Sequence, residues 1–274
     1  MNFRPCIDIH NGKVKQIVGG SLKDEGDKAK ENFVAKEDAA YYAERYKQDG
    51  LTGGHIILLN KSDSPYFEAT KAQALKALRA YPGGLQIGGG IGKENALEYL
   101  EEGASHVIVT SAVFKEGQLS WEELSELSQV TGKERLVLDV SCRKRNGRYY
   151  IVTDRWQTFT DEVVSLDLLH RLSGYCDEFL IHGVDVEGKG SGMEKELVQL
   201  LAGWKECPIT YAGGISSFSD LERLYELSGG SLDVTIGSAL DLFGGDLSYE
   251  DVLDFMRQKR SDACEIYENA WNRQ

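Results

Sequence analysis

The 274-residue chain is poor in the features that mark secreted, membrane and nucleic-acid-binding proteins. Its five cysteines (Cys6, Cys142, Cys176, Cys207, Cys264) are odd in number and far apart, and they include no C-x-x-C pair. That spacing speaks against a disulfide framework and a zinc site, and it fits a reducing compartment. No apolar run approaches the roughly 18 residues needed to cross a bilayer, and Met1-Asn2-Phe3-Arg4-Pro5 lacks the apolar centre of a signal peptide. The expectation is a soluble, cytoplasmic protein with no membrane partner. Positive charge is also short: 31 basic residues against 44 acidic ones leave −13. This disfavours nucleic acid as a partner, but a small phosphorylated ligand remains compatible, because backbone amides bind phosphate whatever the global charge.

What the chain does have is a pair of matched strands. Arg4-Pro5-Cys6-Ile7-Asp8-Ile9 is a short β-prone run with a carboxylate near its end, followed by the turn-like His10-Asn11-Gly12. Arg135-Leu136-Val137-Leu138-Asp139-Val140 has the same form 131 residues later. In a barrel of parallel strands, Asp8 and Asp139 would both stand at the rim where such folds do their chemistry.

Between and beyond these runs, apolar strands alternate with amphipathic segments. Strands are expected at about 3–9, 55–59, 85–87, 107–109, 135–140, 179–182, 209–211 and 234–236. Helices are expected at about 37–47, 67–80, 93–102, 121–130, 166–172, 194–201, 219–227 and 247–256. Residues 12–20 read as the loop after strand one. Residues 142–160 are an insertion in which Asn146-Gly147 signals a hairpin, and 258–274 are a charged tail. Eight strands and eight helices with no linker-like break give one α/β domain over 1–274, a (β/α)8 barrel. That fold typically needs about 250 residues.

The chain also repeats itself. Gly89-Gly90-Ile91 followed by Thr110-Ser111 is mirrored by Gly213-Gly214-Ile215 followed by Gly237-Ser238, at offsets of 124 and 127 residues. Such a period implies two half-barrels, about 1–130 and 131–257, each with one aspartate and one glycine-rich pair of loops. Glycines between a strand and a helix let the backbone approach an anion while the helix N-terminus offers N–H groups. Two such cradles on one rim imply a ligand with a phosphate at each end and its reacting centre over the aspartates. Each element has a blander alternative. A Gly-Gly-Ile can merely permit a tight connection, a single aspartate can cap a helix or order a loop, and His182 can be a core histidine. Glu187 reads as a solvated residue or loop anchor, Trp156 as packing under the hairpin, and Arg143-Lys144-Arg145 as a solvated turn.

Taken together, Ile7-Asp8-Ile9-His10-Asn11-Gly12-Lys13-Val14, Gln86-Ile87-Gly88-Gly89-Gly90-Ile91, Ala212-Gly213-Gly214-Ile215-Ser216-Ser217 and Thr235-Ile236-Gly237-Ser238-Ala239-Leu240 resemble the HisA family over roughly residues 3–257. These are the histidine-pathway isomerases acting on phosphoribosylformimino-aminoimidazole carboxamide ribotide (ProFAR). The run from Phe179 to Gly188 and Lys15-Gln16-Ile17-Val18-Gly19-Gly20 resemble its eukaryote-type branch. The resemblance implies an Amadori rearrangement of a bis-phosphorylated substrate, with no metal or redox cofactor; a monomer is the expectation, although nothing in the sequence fixes the oligomeric state. It implies Asp8, Asp139 and His182 as catalytic residues, Asp139 as ring-opening acid and Asp8 as base. It also implies substrate or phosphate contacts by Gly20, Gly89, Gly90, Thr110, Ser111 and Trp156, and by Gly188, Gly213, Gly214, Gly237 and Ser238.

Gln16, Gly92 and Ser238 stand where many bacterial members have arginine, His182 replaces a threonine, and Leu58 stands where strand two often ends in aspartate. Backbone amides and other side chains must then hold the phosphates. Two other functions stay open. The sister cyclase shares the barrel, the aspartates and the cradles, but carries a lysine where this chain has Gln16. A non-catalytic phosphate-ligand-binding barrel would suit the departures at Gln16, Leu58, Gly92 and Ser238.

Overall fold

The computed structural model describes residues 1–18, 21, 29–187 and 192–271, with side chains as far as residue 262. In chain order the first half contains β1 (Cys6–His10), β2 (Lys13–Ile17), β3 (Glu31–Val34), α1 (Ala39–Gln48), β4 (Gly54–Leu58), α2 (Phe67–Ala80), β5 (Leu85–Gly88), α3 (Ala96–Glu101), β6 (Val107–Val109), β7 (Phe114–Lys115), β8 (Gln118–Leu119) and α4 (Trp121–Thr131). The second half contains β9 (Leu136–Asp139), β10 (Cys142–Arg145), β11 (Arg148–Thr153), β12 (Thr158–Val163), α5 (Leu166–Leu172), β13 (Glu178–His182), α6 (Lys195–Ala202), β14 (Ile209–Ala212), α7 (Phe218–Ser228), β15 (Asp233–Val234) and α8 (Tyr249–Trp271).

β1, β4, β5, β6, β9, β13, β14 and β15 pair in parallel, in that order. The seam closes through the parallel bridge between Phe3 and Val234. There Arg4 N–H donates to the Val234 carbonyl at 2.8 Å, and Val234 N–H to that of Asn2 at 2.9 Å. The result is the (β/α)8 barrel, and its strands are almost wholly buried because both faces are covered. In β1, Ile7 and Ile9 are fully buried, while Cys6 and Asp8 face the barrel interior. Helices begin where a side chain can take a free amide: Asp38, Ser120, Ser165 and Ser217 accept from residues three further on, starting α1, α4, α5 and α7. α2 turns Thr70, Ala74, Ala77 and Leu78 onto the barrel, small residues that let it lie close.

One end of the barrel interior is closed by charge. Arg4 Nε donates to Asp233 Oδ2 at 2.9 Å, and its Nη2 lies 3.8 Å from Glu178 Oε2. Glu178 also accepts from Gln86 Nε2 at 2.9 Å and from Thr210 Oγ1 at 2.6 Å. With every oxygen engaged, the buried carboxylates become tolerable.

The structure departs from the sequence reading in four places. Residues 13–17, read as loop, form β2, which continues β1 in an antiparallel hairpin and pairs with β3. Asn11 and Gly12 both take positive φ (52° and 72°), as a tight two-residue turn demands. The turn is held by Asn11 N–H donating to Asn60 Oδ1 at 2.8 Å and Gly12 N–H donating to Thr70 Oγ1 at 3.0 Å. The insertion is a three-stranded antiparallel sheet of β10, β11 and β12, whose first turn is the expected Asn146-Gly147. Its basic run is strand rather than turn, although Lys144 and Arg145 are exposed as expected. It forms β10, with Arg145 at 4.4 Å from the Tyr150 ring centre and 4.6 Å from that of Phe159, and Arg143 paired to Asp185 at 2.9 Å. Finally, α8 carries on to Trp271 through most of the expected tail. Among the described residues no helix is long and apolar enough to cross a membrane.

Candidate active site

A cavity of about 590 Å³ opens at the carboxyl ends of the barrel strands. Asp8 from β1, Asp139 from the end of β9 and His182 from the end of β13 all line it. So do Gly89, Gly90, Thr110 and Ser111 on one side, and Gly213, Gly214, Gly237 and Ser238 on the other. Gly20 and Gly188 lie outside the described residues.

The glycines divide into two kinds. A Cβ on Gly89 would sit 2.1 Å from the Leu58 carbonyl oxygen, and one on Gly214 2.1 Å from that of Gly192, so packing alone demands glycine there. Gly90, with φ of +72°, faces open space. The helix-start part of the cradle expectation needs correcting. α3 begins only at Ala96, and the Gly92 amide is already held by Asn95 Oδ1 at 2.9 Å. Ahead of α7, Ser216 N–H is held by Asp220 Oδ2 at 3.1 Å. Gly237 makes room for Gln16, whose Oε1 would lie 2.4 Å from an added Cβ. From there Gln16 Nε2 donates to Asp8 Oδ2 at 3.4 Å.

Trp156, expected as a substrate contact with hairpin packing as the blander alternative, lines the cavity with its ring 5.2 Å from that of His182. Asp154, Arg155 and Trp156 take φ of 52°, 55° and 67° in succession. This left-handed turn is unusual for three non-glycine residues and of the kind that persists where the surroundings enforce it. Gln157 N–H closes it onto the Thr153 carbonyl at 3.0 Å, and Asp154 N–H ties it to Ser111 Oγ at 3.2 Å. Arg155 is the one Lys or Arg side chain on the cavity wall among the described residues.

The electrostatics centre on carboxyl groups. Glu187, read as a solvated residue or loop anchor, lines the cavity as well. It keeps partial access through the cavity, but the surrounding protein desolvates it and pushes its carboxyl up to about 7. Asp8 is likewise pushed up to about 7, first by desolvation and then by the charge of Glu187. Asp139 is raised by burial, against the lowering effect of hydrogen bonds from the Ser141 hydroxyl, the Ser141 amide and Thr110. Burial brings His182 down to about 4, and burial with the neighbouring His182 brings His55 down to about 3, so both imidazoles are neutral.

Two wall residues, His55 and Glu187, and one fully buried behind the wall, Ser141, escaped the sequence reading or were undervalued by it. Ser141 follows a strand-end aspartate by two positions, a spacing at which a hydroxyl can bond back to the carboxylate. His55 lies inside an apolar strand. Glu187 carried no signal beyond its place after strand six, because only the path of its loop turns it inward.

The chain is similar to known proteins along most of its length. The profile of the histidine biosynthesis protein family matches residues 3–247. An isomerase of Medicago truncatula, named as the chloroplastic 1-(5-phosphoribosyl)-5-((5-phosphoribosylamino)methylideneamino) imidazole-4-carboxamide isomerase, is 54% identical over 264 residues, 95% of this chain and 83% of its own. The isomerase of the same chemical name from Neurospora crassa is 46% identical over 246 residues (89% and 93%). The one from Saccharomyces cerevisiae is 44% identical over 257 residues (91% and 95%). With its barrel, its strand-end aspartates and this degree of identity, the chain belongs to the histidine biosynthesis protein family.

Proposed function

We propose that the cavity carries out the aminoaldose-to-aminoketose rearrangement of ProFAR, the bis-phosphorylated substrate that the relatives' names describe. The observation that carries this reading is the Asp8–Glu187 pair, two carboxyl groups both raised to about 7 by a shared buried wall. The reaction needs an acid to open the ribose ring and a base to take the proton from the adjacent carbon. Two interacting carboxyls near 7 hold about one proton between them at neutral pH, which supplies one of each. Asp8 is the base and Glu187 the acid. Asp139, which accepts from the Ser141 amide at 2.8 Å and from the Ser141 hydroxyl, serves better as the ionised group facing the iminium cation. The sequence reading, with Asp139 as the acid, is the second possibility. It is favoured by the upward displacement of its carboxyl and is separated from the first by comparing Glu187→Gln with Asp139→Asn.

The two phosphates would rest on the loops at Gly89–Gly90 and Ser111 and at Gly213–Gly214 and Ser238. Arg155 is the nearest source of positive charge on the wall. One chain supplies every group named, which supports a monomer as the working unit. Four free cysteines among the described residues support a reducing compartment such as the cytoplasm.

Purified protein incubated with ProFAR and followed by chromatography should yield the rearranged ketose without ammonia. Turnover only of the rearranged product, and only with ammonia, would assign it to the cyclase; no turnover of either would leave a binding protein. The pH dependence carries a sign. Below about 7 Asp8 gains a proton and the base is lost, whereas above about 7 Glu187 loses its proton and the acid is lost. kcat/KM should therefore fall on both sides of about pH 7, and a flat profile between about pH 5 and pH 9 would remove the pair from the mechanism.

A further inference from the structure

The hydroxyl of Ser141 joins two groups that the rearrangement uses. Its Oγ donates to Asp139 Oδ1, lies 3.0 Å from His182 Nδ1, and accepts from the His182 main-chain N–H at 3.2 Å. The Ser141 amide donates to the same Asp139 oxygen at 2.8 Å. Ser141 itself is fully buried, so water cannot substitute for any of these partners.

Counting protons decides the rest. An ionised Asp139 can only accept, so the one hydroxyl proton of Ser141 goes to it. Oγ then has only lone pairs to offer, and the His182 amide takes one of them. The imidazole must therefore donate to the other, which puts the ring proton on Nδ1 and leaves Nε2 bare. With Nδ1 turned to Ser141, Nε2 is the nitrogen left for the cavity, beside Trp156.

We propose that Ser141 is a positioning residue that locks His182 as its Nδ1–H tautomer, making Nε2 an obligate hydrogen-bond acceptor for an N–H or O–H group of the substrate. The neutral state of the ring follows from its enclosure between His55 and Trp156, whose ring centres lie 6.4 and 5.2 Å away. An imidazole free to switch tautomers would offer donor or acceptor alike. Held by Ser141, it selects ligands with a donor next to whatever Trp156 covers, and penalises an acceptor placed there by leaving two lone pairs opposed. The substrate half of this inference rests on the isomerase reading; the tautomer half rests only on Asp139 being ionised, the state assigned to it above.

Two measurements test it. In protein carrying 15N-labelled histidine, the His182 signals are assigned by their loss in His182→Gln. They should report a neutral ring with the proton on Nδ1, and in Ser141→Ala the ring should lose that fixed state. In ProFAR turnover, Ser141→Ala should raise KM about tenfold while kcat changes less, the loss of one neutral hydrogen bond, and Ser141→Thr, which keeps the hydroxyl, should restore KM. A wild-type His182 carrying its proton on Nε2 would overturn the proposal, as would a Ser141→Ala enzyme with unchanged KM. The spectrum is read without substrate, so absence of ProFAR turnover by the wild type would defeat the isomerase reading and leave the tautomer assignment to be judged separately.

Discussion

Asp8→Asn is expected to lower kcat on ProFAR by about 10²–10⁴-fold, the usual contribution of a positioned general base, with KM little changed. Asparagine has the same shape and still accepts from Gln16, whose Nε2 approaches Asp8 at 3.4 Å, so the wall keeps its form. What it lacks is a site for the carbon proton. The substitution also removes the charge that couples Asp8 to Glu187. The acid would then titrate without a partner, and the remaining activity should lose its decline below about pH 7 while keeping the one above. A variant with wild-type kcat would exclude Asp8 as the base. One with unchanged kcat/KM but a shifted pH profile would confine Asp8 to tuning Glu187.

The second large effect is on stability and lies at the opposite end of the barrel. Arg4→Leu removes the cation that stands between Glu178 and Asp233, 3.8 and 2.9 Å away. Two carboxylates are left together in a wall with little water, Glu178 already raised by desolvation and by the charge of Asp233. Breaking one partner of a buried ionic cluster costs about 3–5 kcal/mol, and urea unfolding near neutral pH should show a loss of that size. The sign of its pH dependence follows from proton binding. Without Arg4, whose charge holds the Glu178 value down, the folded-state value of Glu178 rises further above its unfolded one, so the folded variant binds protons more readily than its unfolded chain. Its deficit should therefore grow as pH rises above about 4 and shrink as pH falls toward it. Adding Glu178→Gln should recover part of the loss at neutral pH. An Arg4→Leu protein as stable as wild type would show that the cluster is not needed to close the barrel.

These two ends of the barrel were not equally legible. The strand-end aspartates could be read because a short apolar run ending in a carboxylate, repeated at a fixed interval, is a local pattern. β5, β6 and β9 were likewise visible as apolar runs, and α2 as a stretch of good helix formers closed by Pro82-Gly83. The floor cluster could not be read: Gln86, Glu178, Thr210 and Asp233 come from four separate strands and Arg4 from the segment before β1, and nothing in their own neighbourhoods announces that they meet. β2 was missed because Lys13-Val14-Lys15-Gln16-Ile17 is polar for a barrel strand. It is held by β1 on one side and β3 on the other rather than by its own propensity.

The sequence alone determined the barrel, its repeat and the two aspartates at strand ends, because burial on both faces of a parallel sheet writes itself into consecutive residues. Only the tertiary structure decided which side chains meet those aspartates. It placed Glu187 on the wall with Asp8, Ser141 between Asp139 and His182, and Trp156 against His182, and it spent the first amides ahead of α3 and α7 on side-chain caps. Such choices depend on distances between residues far apart in the chain. A carboxyl acquires its proton affinity, and an imidazole its tautomer, only from the neighbours that folding supplies.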